Sequence, residues 1–528
     1  MKNITETEYR RLEIQGKCDD AKTPIERNKL GQFATPTNLA NDILAYAQTL
    51  LLKETRVRFL DPAIGTGSFY SALLSSFPAK DVAYAKGYEI DPHYATPAKE
   101  IWKNHPLQIE VADFTRSAVP REGFNLIICN PPYVRHHHLF QEDKKRLKSS
   151  VNESLSLSVS GLSGLYCYFL LLAHQWLAED GVSGWLIPSE FMDVNYGTAI
   201  KKYLLTEVEL LHIHRFDPKE PQFGDAIVSS AVVWFRKRKT LSNQHVKFTF
   251  GGTLLNPKLS SFIDKETLRV EKKWSRFPQG TIRVQAVSPK LGDFFTIKRG
   301  VATGNNKFFI RTREQIQEME LPFEMFRSIL PPPRQLPSDE VGADSNGFPK
   351  LDKQLFLLNC SFPELHIKQR YPKLWEYLQT GQERVAKGYL CSSRSPWYGQ
   401  ENRSPALYVC TYMGRGTAEN KRPFRFILNW SNAIAANTYL LIYPKEPLRQ
   451  ILQSDKGLTR RIWSFFNGIT ADSLISEGRV YGGGLYKMEP KELANVSASE
   501  IADLMSRTIK GDRSKIKLPE RVLQAQLF

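Results

Sequence analysis

Asn130, Pro131, Pro132 and Tyr133 form the stretch whose residue types most narrowly limit the chemistry open to this chain. An asparagine amide supplies an oxygen acceptor, and a proline supplies a carbonyl but no N–H. Two acceptors held side by side suit an exocyclic amino group, which has two hydrogens to donate. Tyr133 adds a flat face on which a nucleobase can stack. The arrangement points to chemistry on the amino group of a base.

The elements that must position these residues follow from the apolar pattern. Phe124-Asn-Leu-Ile-Ile-Cys129 reads as a buried strand, so Asn130 sits at its carboxyl end, where ligands bind in open α/β sheets. The preceding sequence alternates strand-like runs with helical patterns, as a doubly wound parallel sheet does. Arg56–Leu60, Val82–Tyr88 and Leu107–Val111 read as three earlier strands, and Tyr70–Phe77 as a helix. Gly184–Ile187, Leu210–His214 and Ile227–Phe235 complete a seven-stranded sheet whose final hairpin is antiparallel. Leu165–Ala178 is apolar but too short to span a bilayer, and reads as a buried helix.

Gly65 and Gly67 lie in a strand-to-helix turn, Asp61-Pro-Ala-Ile-Gly-Thr-Gly-Ser-Phe69, where a ligand can approach the backbone closely. The spacing is shorter than the dinucleotide fingerprint, and no P-loop lysine follows, so phosphate cradling is not indicated. Asp61 puts a carboxylate beside the turn, and Glu89, ending the next strand, is placed to accept bonds from ribose hydroxyls. Together they describe a nucleoside pocket without a pyrophosphate site. S-adenosylmethionine, with its adenosine and cationic sulfonium but no phosphate, fits it.

The order and identity of these motifs resemble the amino-methyltransferases of bacterial DNA, in the gamma arrangement typified by the TaqI enzyme. Gly31-Gln-Phe-Ala-Thr-Pro36 is similar to that family's N-terminal motif, in which Thr35 and Pro36 would close over the methionine end of the cofactor. Asp61–Phe69 resembles its glycine-rich motif, implying Asp61, Ala63, Gly65 and Gly67 as cofactor contacts. Glu89 and Ile90 correspond to the ribose and adenine contacts, and Asp113 with Phe114 to the pair that reads the cofactor's adenine. Asn130, Pro131 and Tyr133 match the catalytic motif. Phe223 resembles the aromatic that stacks on the other face of an extruded base. The resemblance implies a Rossmann-like seven-stranded methyltransferase domain over residues 1–240 and a mixed α+β target-recognition domain over 241–528. It further implies N6 methylation of adenine in double-stranded DNA, and a separate cognate restriction endonuclease acting on the same site.

Charge agrees with a polyanionic partner. The chain carries a net +17; residues 1–240 hold 29 Lys/Arg against 28 Asp/Glu, and residues 241–528 the remaining 43 against 27. A near-neutral half joined to a strongly basic one suggests that the second holds DNA while the first does the chemistry. The polar, basic run from Arg236 to Lys247 reads as the linker. Lys298–Phe309, Arg422–Trp430 and Arg479–Lys487 combine cations, amides and aromatics suited to phosphates and base edges. Pro331–Gly347 reads as an exposed loop. The N-terminus has no apolar signal segment, and six scattered cysteines lack metal-ligand spacing; a reduced, cytoplasmic protein is expected, with no metal and no membrane partner.

Plainer explanations cover several other features. Cys129 reads as a small buried strand residue. His136-His137-His138 cannot easily converge on one ion, which favours a loop touching DNA backbone or nothing. Asp143-Lys144-Lys145 and Glu271-Lys272-Lys273 contain a nuclease-like triplet but lack an upstream partner strand. The alternatives at the level of function are amino-methylation of cytosine, methylation of a protein glutamine amide, and a DNA-binding protein with a vestigial catalytic domain.

Overall fold

The computed structural model describes residues 2–23, 26–27, 30–51, 55–218, 220, 222–223, 229–238, 244–278, 289–415, 422–481 and 485–509. The chain divides near Ile282 into two compact units.

In the first unit α1 (Lys2–Asp20) and α2 (Thr37–Leu50) lead into an alternation of strands and helices. It runs β1 (Val57–Asp61), α3 (Ser68–Ser76), β2 (Val82–Glu89), α4 (Pro92–Trp102), β3 (Leu107–Val111), β4 (Phe124–Cys129), α5 (Gln141–Leu155), α6 (Leu165–Leu172), β5 (Leu177–Pro188), α7 (Thr198–Thr206), β6 (Glu209–Arg215) and β7 (Ser230–Arg236). The strands lie in the order β3-β2-β1-β4-β5-β7-β6, with β7 antiparallel to both its neighbours and the rest parallel to one another. That is the expected doubly wound sheet with an antiparallel hairpin. Because β1 to β4 are parallel, the residues that end β1 and β2 and those that follow β3 and β4 emerge along one edge.

Side-chain alternation divides the core into two layers. Along β4, Ile127 and Cys129 face the layer that contains α6 and α7, whereas Leu126 and Ile128 face the layer that contains α2 and α3. The apolar run Leu165–Ala178 forms helix only to Leu172. One 3₁₀ turn, Ala173–Trp176, follows, and β5 begins at Leu177.

Among the described residues the sheet has nine strands, not seven. β8 (His245–Gly252) pairs in parallel with β6, and β9 (Pro257–Asp264) pairs antiparallel with β8, so the first unit takes in the end of the polar stretch read as a linker and continues to Ile282, some forty residues past the expected boundary at 240. Val246 and Phe248 are buried and fix β8, while β9 is a largely exposed edge strand, Leu259 and Phe262 included. Residues 239–243 of that stretch lie outside the described residues, as do Ile227 and Val228 of the expected last strand.

The second unit is mixed α+β. Among the described residues it holds a five-stranded sheet in the order Phe295–Arg299, Tyr439–Pro444, Tyr408–Thr411, Phe426–Asn429 and Glu340–Val341, together with two three-stranded sheets. Helices Leu448–Ser454, Lys456–Gly468 and Ser499–Ile509 supply Leu448, Ile462, Phe466 and Ile501 to its core. Pro331–Gly347 is not wholly a loop: Val341 is buried and pairs with Asn429.

Candidate active site

The carboxyl edge of the parallel strands gathers the chemistry-bearing residues. Asn130 follows β4 directly, and its amide is held by both hydrogens: Nδ2 donates to the Phe33 carbonyl at 3.0 Å and to Thr35 Oγ1 at 3.1 Å. Its Oδ1 is buried and has no partner. A buried, unsatisfied acceptor costs about 1–3 kcal/mol unless a ligand or water completes it. The donor pair also sets which way the amide points, since only this orientation satisfies both acceptors.

The segment that orients Asn130 reaches it through a glycine. Gly31 has φ +67°, its carbonyl accepts from the Tyr133 N–H at 3.3 Å, and a Cβ there would lie 2.3 Å from Tyr133 N. Only glycine permits that approach. Thr35 is buried, and Pro36 is the N-cap of α2. Phe33, which has no role in the sequence analysis, supplies an acceptor to Asn130 and a ring beside Tyr133. Its signal was an aromatic two residues before Thr35.

Asn130, Thr35, Asp61, Ala63 and Gly65 line one cleft, with Phe33, Thr66 and Gln15. The cleft holds about 310 Å3 of empty space, its open mouth included. Asp61 is buried at the end of β1, and burial pushes its carboxyl up to about 8, against the Ala63 N–H that donates to it at 3.1 Å and with the Glu89 carboxylate adding to the rise. Glu89 accepts from Gly65 N at 3.1 Å and Asp91 N at 2.8 Å; burial raises its carboxyl too. It thus ties the glycine-rich turn to the end of β2. Gly67 has φ +97° and packs so closely on Trp102 that a Cβ would lie 2.4 Å from the indole nitrogen.

Other expected contacts are placed differently. Ile90 is exposed, and the Phe114 ring is buried in the core against Tyr88 and Trp176, so neither side chain lines the cleft. Asp113 accepts from Thr115 N at 2.9 Å and lies 3.3 Å from Arg116 Nε. Tyr133 is buried, and its hydroxyl donates to the Leu186 carbonyl at 3.1 Å. Phe223 is brought to it, but edge-on, with centroids 6.3 Å apart at 83°, and Phe33 completes a triangle of rings. A base sandwiched between two parallel rings needs them about 7 Å apart, so Phe223 would have to turn or withdraw. Pro221 and residues 224–228 around it lie outside the described residues.

Two other chemistry-bearing features of the sequence form no site. Cys129 is buried in the core, where burial raises its thiol. His136, His137 and His138 form one 3₁₀ turn in which neighbouring rings pack on each other, and no metal-binding group of three or more side chains occurs among the described residues.

Two family models match the chain: the Eco57I restriction-modification methylase over residues 82–223, and the C-terminal domain of the type II methyltransferase M.Eco57I over 279–521. The chain is 27% identical over 493 residues to the type II methyltransferase M.AccI of Acinetobacter calcoaceticus, covering 88% of this chain and 85% of that protein. It is 26% identical to M.XamI of Xanthomonas campestris pv. amaranthicola, covering 90% and 86%. Over both of its units the chain is thus similar to type II restriction-modification DNA methyltransferases. Among solved structures, the type IIL restriction-modification enzyme MmeI in complex with DNA shares the fold, with a TM-score of 0.52 and 14% identity over 93% of this chain and 71% of that one.

The matches follow the structural division. Asn130–Tyr133 and Glu89 fall inside the methylase match, and the C-terminal match begins at 279, close to the division near Ile282. In the second unit, several cations named in the sequence analysis are engaged internally. Arg425 bonds Asp339 at 2.7 Å and the Pro333 carbonyl, and Arg479 bonds Glu492 at 2.7 Å. Phe308, Phe309 and Phe426 are core. Lys298 and Arg299 are exposed, and the Arg299 guanidinium lies 4.2 Å from the centre of the Tyr412 ring.

Proposed function

We propose that this chain transfers a methyl group from S-adenosylmethionine to N6 of an adenine extruded from duplex DNA, within a specific sequence. Such modification would protect the DNA from a separate nuclease recognising the same site. The observation that carries the reading is the Asn130 amide, pinned through both hydrogens with its oxygen buried and unpartnered.

The cofactor fits the cleft in chemical terms. Asp61 in the cleft can meet a cation, Glu89 stands outside the cleft's lining at the end of β2 where ribose hydroxyls could reach it, the open backbone at Gly65 admits close approach, and no lysine or P-loop calls for a phosphate. When bound, S-adenosylmethionine supplies a methyl group activated on a positively charged sulfur. The chain's own residues prepare the nucleophile. An adenine amino nitrogen is poorly nucleophilic because its lone pair is delocalised into the ring. Hydrogen bonds from its two hydrogens to Asn130 Oδ1 and the Pro131 carbonyl draw the nitrogen toward tetrahedral geometry and free the lone pair. As the N–C bond forms and the sulfur departs as the neutral thioether of S-adenosylhomocysteine, positive charge develops on nitrogen and both bonds strengthen, so the acceptors favour the transition state over the ground state; one amino proton is then lost to solvent. Since the amide is already fixed by Phe33 and Thr35, little reorganisation is needed at that moment.

Extrusion of the base costs on the order of a few kcal/mol. Stacking on Tyr133 and on a displaced Phe223 offsets this by about 1–3 kcal/mol per aromatic contact. The test is incubation with radiolabelled S-adenosylmethionine and mixed-sequence duplex DNA, followed by nucleoside analysis. Label in N6-methyladenine is the expected outcome; label confined to N4-methylcytosine would reassign the base, and no transfer to DNA would overturn the proposal.

A further inference from the structure

Helix α1 carries polar residues into the cofactor cleft, and none of the motifs that define the site includes it. Arg11 is buried at 1% exposure, ion-paired to Glu8 at 2.6 Å, and donates to Thr66 Oγ1 at 3.1 Å in the middle of the glycine-rich turn. The Thr66 hydroxyl in turn donates to Gln15 Oε1 at 2.6 Å. Gln15 Nε2 donates one hydrogen to Asp19 Oδ1 at 3.0 Å, which also accepts from Tyr94 of α4 at 2.9 Å. Gln15 is therefore held from both ends of its amide. Its second Nε2 hydrogen has no protein acceptor among the described residues, and the side chain lines the cleft with Phe33, Thr35, Asp61 and Asn130. Those neighbours mark the end of the cleft nearest the reacting group, whereas Glu89 and Ile90, the residues suited to the nucleoside, do not line it.

We propose that Gln15 is a cofactor-binding residue, donating its free amide hydrogen to the carboxylate of the cofactor's amino-acid end. The inference rests on the methyl-donor reading above. A preset amide donor facing a carboxylate is worth on the order of tenfold in affinity. Arg11 and Thr66 act through Gln15 as positioning residues.

Calorimetric titration with two ligands separates binding from scaffolding. S-adenosylhomocysteine has the amino-acid end; 5′-methylthioadenosine lacks it. Gln15→Ala should weaken S-adenosylhomocysteine roughly tenfold and leave methylthioadenosine within about twofold. Gln15→Glu keeps the acceptor for Thr66 but replaces the donor with negative charge, and should weaken S-adenosylhomocysteine more than Gln15→Ala does. Equal losses for both ligands would show that Gln15 only props the glycine-rich turn, and unchanged binding of both would show no contact; either overturns the inference. Wild-type protein that binds neither ligand would instead sink the methyl-donor reading itself.

Discussion

Asn130 joins two demands that a single side chain rarely meets together: a fixed orientation and an unspent acceptor. Its Nδ2 bonds to Phe33 and Thr35 provide the first, and the unpartnered Oδ1 the second. Asn130→Ala should lower methyl transfer by about 10²–10³-fold or more, the scale for loss of one preorganised polar partner of a transition state. S-adenosylhomocysteine affinity should stay within a few-fold; retained turnover in a labelled-transfer assay would refute the mechanism. Asp61 makes a second prediction. With its carboxyl held at about 8 by burial, the native state keeps a proton that the unfolded chain has already lost above the ordinary carboxylate range. The native state binding more protons means that stability falls as pH rises toward about 8 and levels off above it. Asp61→Asn should remove that component. The difference in unfolding free energy between the variant and the wild type, from denaturant melts at pH 5 to 9, should grow in the variant's favour up to about 8. A difference that stays flat would contradict it.

At the scale of elements, the parallel strands were legible because each is a short apolar run stopped by a polar or glycine-rich turn. Leu107–Val111 and Phe124–Cys129 were read to the residue, and Asp61, Glu89 and Asn130 fell at or just after strand ends. What escaped was carried by polar sequence. α1 packs through buried Arg11 and Cys18 and half-buried Ile14 and Gln15 rather than a continuous apolar stripe, and β9 is an exposed edge. The edge-on meeting of Tyr133 and Phe223 depends on the paths of separate segments, which no local pattern encodes. The glycine-rich turn offers a test of how tightly the elements are locked. Gly67→Ala should destabilise by about 1–3 kcal/mol for its left-handed backbone, and by more because the new Cβ meets Trp102. Trp102→Phe has a cost of its own, since the indole N–H donates to the Thr66 carbonyl at 2.9 Å, but measured against Trp102→Phe alone the Gly67→Ala change should lose its steric part and keep the backbone part. Thermal melts of both single variants and the double variant measure this; a Gly67→Ala cost as large in the Trp102→Phe background as in the wild type would show that the indole is not the obstacle.

For the molecule as a whole, charge is distributed unevenly between the two units. Residues 241–282, which complete the first unit's sheet, carry seven Lys/Arg and three Asp/Glu, so the first unit has a net +5 and residues 283–528 a net +12. Moving the boundary reduces the contrast without removing it. If the basic second unit holds duplex DNA through phosphates, binding must release counterions, and log Kobs should fall linearly with log salt at about 0.9 per phosphate neutralised. Lys298 is exposed on the strand Phe295–Arg299, and no ion pair involving it is found among the described residues. Lys298→Ala should therefore reduce the magnitude of the salt slope by about 1 and weaken binding about equally on cognate and unrelated duplexes. Arg299 differs, because its guanidinium is stacked on Tyr412 and its loss would also disturb that packing. Fluorescence anisotropy from 50 to 300 mM salt with both duplexes distinguishes the cases. A Lys298→Ala effect confined to the cognate site would make the residue a base reader, and an unchanged slope would take the strand Phe295–Arg299 out of the DNA interface.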